Sequence, residues 1–251
     1  MRLAVCIKRV PDTETKVRIG PDGRSLDPSG VGFDLSPYDE YAIEEALRIK
    51  DAAGGAPEVV VLCVGPSEAS TQIRKALAMG ADRGILLKGE PPFSDAAAVS
   101  AALAPVLKEI CVDLCLTGKQ AIDDDNLQVP AFLAQALGWP LVSVVTRLEI
   151  KDGRALAQRQ VEGGHEVVEV PLPAVITCQK GLNTPRFASL PNIMKAKKKP
   201  LEERAGAPAT PRVNVLGLAL PPGRKPGRIL GQGADAAALL VKALHEEAKV
   251  V

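Results

Sequence analysis

Val59-Val60-Val61-Leu62-Cys63-Val64, followed by a helical stretch over residues 67–80 and then by Ile85-Leu86-Leu87, is the part of the sequence that decides the fold. A continuous run rich in β-branched residues suits a strand buried on both faces. Ile73, Ala76 and Leu77 then recur at helical spacing, and Gly80 supplies the stop. The next apolar run reads as a second strand. Two buried strands joined by a helix imply a right-handed crossover between parallel neighbours in one sheet.

The same alternation extends on both sides. Residues 3–7 read as a buried first strand. Ser36 is the expected N-cap of the following helix, with Pro37 at its first position, Asp39-Glu40 in its first turn and Ile43, Ala46 and Leu47 facing inward. Ser94 is expected to cap a helix reaching residue 107. Residues 112–116 form a further strand that ends in Thr117-Gly118, and a helix over 126–137 is closed by Gly138. After Trp139-Pro140 the texture changes. Residues 142–150, 155–161 and 167–170 are strand-like and are joined by Asp152-Gly153 and Gly163-Gly164, which are hairpin signals. Residues 173–178 read as one more core strand. From Lys180 onward Pro, Gly, Lys and Arg dominate until a terminal helix over 234–247.

The predicted class is therefore α/β: a parallel sheet with flanking helices, added antiparallel hairpin strands and an extended C-terminal arm. The expected division is 1–194 for a nucleotide-binding domain with a hairpin insertion. Residues 195–251 make up a basic segment, the arm and the terminal helix. An arm of this length with little core of its own reads as a segment that packs on a partner.

Composition narrows the possibilities. Of 251 residues 46% are hydrophobic but only 3% aromatic, so Val, Ile, Leu and Ala must fill the core. A net charge of +1 argues against a nucleic-acid or membrane-surface protein whose whole surface is basic. The five cysteines (Cys6, Cys63, Cys111, Cys115, Cys178) lie mostly in apolar runs and read as small buried hydrophobes in a reducing compartment. Cys111 and Cys115 are separated by three residues, not two, in a chain with two histidines, which argues against a zinc cage. No run of about 18 apolar residues is present for a membrane span. The expectation is a cytoplasmic protein with no signal or transit peptide and no direct membrane insertion.

Gly118-Lys119-Gln120-Ala121-Ile122-Asp123-Asp124-Asp125 leaves the carboxyl end of a predicted parallel strand and leads into a helix through Asn126-Leu127-Gln128-Val129. Ligands of open α/β sheets bind beyond the carboxyl ends of the strands. Gly allows close backbone approach, the free amides of the next helix attract an anion, and Asp side chains accept from ribose hydroxyls. The other reading is a polar loop with an Asp N-cap. The segment is not a Walker loop, because Asp113 and Gln120 stand where that motif needs Gly and Ser or Thr. Consecutive carboxylates in a loop seldom converge on a metal. Gly231-Gln232-Gly233-Ala234-Asp235-Ala236 matches a dinucleotide fingerprint, but no second strand follows it, so it reads as a turn leading into a helix. Leu190-Pro191-Asn192-Ile193-Met194-Lys195 places apolar side chains in an expected exposed loop beside the basic run ending at Lys199. Such a patch either marks a partner contact or folds back onto the core. Neither histidine, nor Glu162 with Glu166, builds a catalytic constellation.

In order along the chain, Val5 to Asp12, Ser36 to Glu40, Ala76 to Arg83, Gly118 to Asp125, Glu162-Gly163-Gly164 and Leu190 to Lys197 resemble the beta subunit of electron transfer flavoprotein. The similarity covers residues 1 to about 200. The resemblance implies a Rossmann-like fold of the adenine nucleotide alpha hydrolase type. It also implies a heterodimer with an electron transfer flavoprotein alpha subunit that carries most of the FAD contacts, and a structural AMP in the beta subunit. Electrons would come from acyl-CoA and related dehydrogenases and pass to a quinone oxidoreductase, with no catalytic residue in this chain. By the same resemblance the AMP neighbours are Cys6, Ser36, Pro37, Tyr38, Asp39, Val64 and the stretch from Gly118 to Val129. Leu127 and Val129 would make their contacts through backbone. Leu190 would be the anchor of a docking loop for dehydrogenases. Thr13 stands where certain members place an aromatic near the flavin. One branch of the family holds a second FAD in place of AMP and bifurcates electrons; the Asp123-Asp124-Asp125 run looks more like the AMP branch. Outside the family, the rival is a free-standing adenine-nucleotide-binding stress or signalling module.

Overall fold

The computed structural model describes residues 1–89, 95–206, 211–223 and 226–251. In chain order the elements are β1 (Arg2–Ile7), β2 (Arg9–Pro11), β3 (Phe33–Leu35), α1 (Pro37–Ala52), β4 (Glu58–Gly65), a 3-10 turn (Ser67–Ala69), α2 (Ser70–Met79), β5 (Arg83–Lys88) and α3 (Ala96–Glu109). There follow β6 (Leu114–Gly118), α4 (Val129–Leu137), β7 (Leu141–Lys151), β8 (Arg154–Val161), β9 (Gly164–Pro171), β10 (Ala174–Cys178), α5 (Leu190–Ala196) and β11 (Leu201–Ala205). The last are α6 (Ala236–Lys242) and a π-helical continuation (Ala243–Ala248).

Among the described residues, nine strands form one Rossmann-like sheet in the order β11-β5-β4-β1-β6-β10-β7-β8-β9. Pairing is parallel from β11 through β7, and β8 and β9 extend it as antiparallel hairpins. A small antiparallel pair, β2 and β3, stands apart. The period of two along β1 and β4 feeds two cores. Leu3, Val5, Val59 and Val61 pack with Ile43 and Leu47 of α1 and Ile73 and Leu77 of α2. Ala4, Cys6, Val60 and Leu62 pack with Leu103 and Leu107 of α3 and Leu133 and Leu137 of α4. Both faces are therefore covered, which is why these strands read as continuous apolar runs. The chain moves outward from β1 to β4 and β5, then returns to place β6 on the other side of β1. That reversal opens a crevice at the carboxyl ends of β1, β4 and β6.

Several expectations need correcting. The helix expected over 126–137 starts only at Val129, because Asp125 (φ 47°) and Leu127 (φ 56°) take left-handed backbone that a helix cannot include. Ser36 occupies the N-cap position of α1 but makes no capping bond; its Oγ is buried without a partner among the described residues. Ser94 lies outside the described residues, and Asp95 caps α3 by accepting from the Ala98 N–H at 2.9 Å. The expected exposed loop around residue 190 is the helix α5, capped by Ser189. The first compact unit is Met1–Leu218 and the second Ala219–Val251. Within the first, β11 adds an edge strand beside β5. No helix among the described residues is long and apolar enough to cross a membrane.

Candidate functional site

The crevice holds a cavity of about 370 Å³. Its floor is the ends of three parallel strands: Cys6 and Ile7 of β1, Val64 and Gly65 of β4, and Thr117 and Gly118 of β6. One wall is the loop from Lys119 to Gln128 with the start of α4; another is the start of α3 with Asp95, Val99 and Leu103.

Asp39 fixes the geometry of this floor. It sits buried in the first turn of α1 and accepts from the backbone N–H of Lys8 at 2.7 Å and of Gly118 at 3.0 Å. One carboxylate thus ties the end of β1 to the end of β6. Burial pushes its pKa up to about 7, against the opposing pull of the two backbone donors and of Lys8. Gly118 is required by this arrangement. A Cβ there would come within 2.5 Å of Asp39 Oδ1 and 2.8 Å of the Tyr38 backbone.

The acidic loop is held from the other side of the crevice. Lys8 Nζ reaches Asp123 Oδ1 at 2.8 Å and Asp124 Oδ2 at 3.0 Å, while Asp125 accepts from Gln120 Nε2 at 2.5 Å. The Lys119 N–H donates to the Cys178 carbonyl at 3.0 Å, which ties the loop to β10, and Lys119 Nζ stands 5.1 Å from the Tyr38 ring centroid. The three aspartates are thus spoken for separately: two by a lysine and one by a glutamine. Arg9 stacks 3.4 Å above the Phe33 ring at the rim, and burial draws its pKa down. Cys6 and Cys115 place their sulfurs 3.8 Å apart, and that contact, together with burial, pushes the Cys6 thiol up.

Of the residues singled out from the sequence, Cys6, Asp39, Val64, Gly118, Lys119, Gln120, Ala121, Asp123, Asp124, Asn126, Leu127, Gln128 and Val129 line this cavity. Ser36, Pro37, Tyr38, Ile122 and Asp125 are not in its lining. Ser36 lies behind the floor, its N–H donating to the Lys8 carbonyl at 3.1 Å. The cavity also takes Lys8, Arg9, Phe33, Asp95 and Val99, which no motif argument had picked as site residues. Their signal was position alone: Lys8-Arg9 follow a buried strand at its carboxyl end, and Asp95 directly precedes a helix. The patch at Leu190 to Lys195 belongs to α5, which packs on α2 elsewhere on the unit. Leu190, Ile193 and Met194 are 80%, 41% and 62% exposed.

Fold and cavity together define an α/β protein with a crevice at the switch point of a parallel sheet. The sequence model of the electron transfer flavoprotein domain matches residues 25–209. The chain is 44% identical to an electron transfer flavoprotein subunit beta of Bradyrhizobium diazoefficiens, over the whole of both chains. It is 38% identical to the human electron transfer flavoprotein subunit beta, covering 90% of this chain and 91% of the relative. It is also 45% identical to the caffeyl-CoA reductase-Etf complex subunit CarD of Acetobacterium woodii, covering 80% and 77% respectively. The chain belongs to the beta-subunit family of electron transfer flavoproteins, a family of electron carriers.

Proposed function

We propose that this chain is the beta subunit of an AMP-containing electron transfer flavoprotein. It pairs with an alpha subunit, holds AMP in the crevice and helps to clamp an FAD carried mostly by that partner. Through α5 it docks acyl-CoA and related dehydrogenases, whose electrons leave toward a quinone oxidoreductase. The cytoplasm is the compartment this reading assigns.

The observation that carries the reading is the crevice at the switch point, where Gly118 lets backbone approach and Asp39 holds two strand ends in register. Its volume of about 370 Å³ lies within the range of ligand pockets, roughly 300–1,000 Å³. The residues present fit such a group. The backbone amides of Gln128 and Val129, just ahead of Pro130, face the crevice for a phosphate, Asp123 and Asp124 keep carboxylate lone pairs beyond their bonds to Lys8 for ribose hydroxyls, and Val64, Val99 and Leu103 offer apolar surface to a base. AMP would supply no chemistry of its own; it would complete the crevice. The residues of this chain bind and orient, and electron transfer is served by bringing donor and acceptor close.

The test is Gly118→Ala. A Cβ inside the Asp39 contact must displace either the loop or the carboxylate. The purified complex should then lose its AMP and about 1–3 kcal/mol of stability, read by nucleotide release on denaturation and by urea melting. Full AMP content in the variant would count against the crevice as the nucleotide site.

A further inference from the structure

After β10 the chain runs over the surface to α5 and is fastened at two places, with exposed apolar side chains between them. At the first, the Arg186 guanidinium lies fork-wise on the buried Glu44 of α1, Nε to Oε2 at 2.8 Å and Nη2 to Oε1 at 2.9 Å. The Arg186 backbone N–H donates to the same Oε2 at 3.1 Å, and Nη2 also reaches Asp51 at 3.0 Å. Asn183 Nδ2 adds bonds to Glu45 Oε2 at 2.9 Å and to the Tyr41 carbonyl at 3.0 Å. At the second place, Arg74 of α2 donates to the carbonyls of Ala196 at 2.7 Å and Lys199 at 2.6 Å. Lys199 Nζ answers with bonds to the carbonyls of Leu77 at 2.9 Å and Ala81 at 2.5 Å.

Between the two fastenings Phe187 is 100% exposed and Leu190 80% exposed. A fully exposed phenylalanine next to a pinned arginine contributes nothing to the core it leaves. A bidentate guanidinium–carboxylate pair fixes direction as well as distance, which a simple apolar contact would not do. Lys195, Lys197 and Lys198 are exposed beside the apolar side chains.

We propose that Phe187 is a second apolar anchor of the docking surface beside Leu190, and that Glu44, through Arg186, is the positioning residue that holds both in place. The proposal rests on the reading that α5 docks dehydrogenases. The occupant it fits is a flavin dehydrogenase face with an apolar socket rimmed by carboxylates, which the lysines complement in charge.

The experiment uses the complex purified with its flavin-bearing partner subunit, reduced by an acyl-CoA dehydrogenase of the same host at varied concentrations of the complex. Phe187→Ala should raise KM about tenfold with kcat and thermal midpoint unchanged, since a buried aromatic anchor is a typical hot spot. Glu44→Gln should raise KM in the same direction and speed amide hydrogen exchange over residues 187–196. Arg186→Gln is the alternative variant if Glu44→Gln fails to fold. An unchanged KM in Phe187→Ala, with Leu190→Ala impaired, overturns the second anchor. An unchanged KM in both overturns the docking reading beneath it. Unaltered exchange over 187–196 in the clamp variants overturns the positioning role.

Discussion

Asp39 shows how little of a residue's role is local. Its place in the first turn of α1 is legible from the sequence as a favourable charge near a helix N-terminus. Its actual partners are the backbone of Lys8 and of Gly118, the latter 79 positions away, and only the sheet order brings them together. The energetic consequence is a pH dependence. Burial raises the folded-state value from the ordinary 3.8 to about 7, so the protonated carboxyl is favoured by folding. The stability linked to this group is fully present below its ordinary value and is lost as pH rises through about 7. Urea midpoints of the purified chain should therefore fall between about pH 4 and pH 7 and level off above that. Asp39→Asn should flatten that slope, while costing about 1–3 kcal/mol at the acid end because one backbone donor loses its acceptor. An equally steep slope in the variant would assign the titration to another group.

Elements differ in legibility for identifiable reasons. The strands β1, β4, β5, β6 and β10 are buried on both faces and announce themselves as apolar runs. β11 does not: Leu201-Glu202-Glu203-Arg204-Ala205 carries no strand pattern and is a strand because its backbone pairs with β5 at the sheet edge. Its charges are met locally, Arg204 by Glu109 at 2.9 Å and Glu203 by Lys88 at 2.9 Å. α5 carries a readable signal in its first residues. Ser189-Leu190-Pro191 has the Ser cap and early Pro that correctly marked the start of α1 at Ser36-Pro37. The helix turns its apolar side chains outward, so burial gave no help. Ala196 is the one buried residue of α5, 2% exposed against α2. Ala196→Glu should thus destabilise the protein by about 1–3 kcal/mol in urea melting. Leu190→Ala, at an exposed position, should stay within about 0.5 kcal/mol of the parent. Equal losses in the two variants would contradict this placement of the helix.

At the scale of the whole molecule, the alternation of strands and helices foretold a parallel sheet with hairpin strands, and the sheet has both. What the sequence left open was the strand order, because reversal at β1 depends on which face each helix covers. The crevice follows from that reversal, so its strand-end residues Lys8 and Arg9 escaped motif reasoning while the Gly118 loop did not. The second unit tells a different story. No residue of α6 is buried, and Ile229, Leu239, Leu240 and Val241 are 87%, 51%, 50% and 60% exposed. Apolar surface left open in this way fits an arm completed by a partner chain. A chain ending after Leu218 should stay folded but fail to hold the alpha subunit in gel filtration; a stable pair would remove the arm from that interface.

The proposed function requires one AMP in the crevice of a two-chain flavoprotein. It is tested most directly by denaturing the complex purified from its own host and quantifying the released nucleotides by mass spectrometry and absorbance. One AMP and one FAD per pair of chains is the expected result. Two FADs without AMP would move the chain to the electron-bifurcating branch. A chain that purifies with no nucleotide and no second subunit would contradict the account outright.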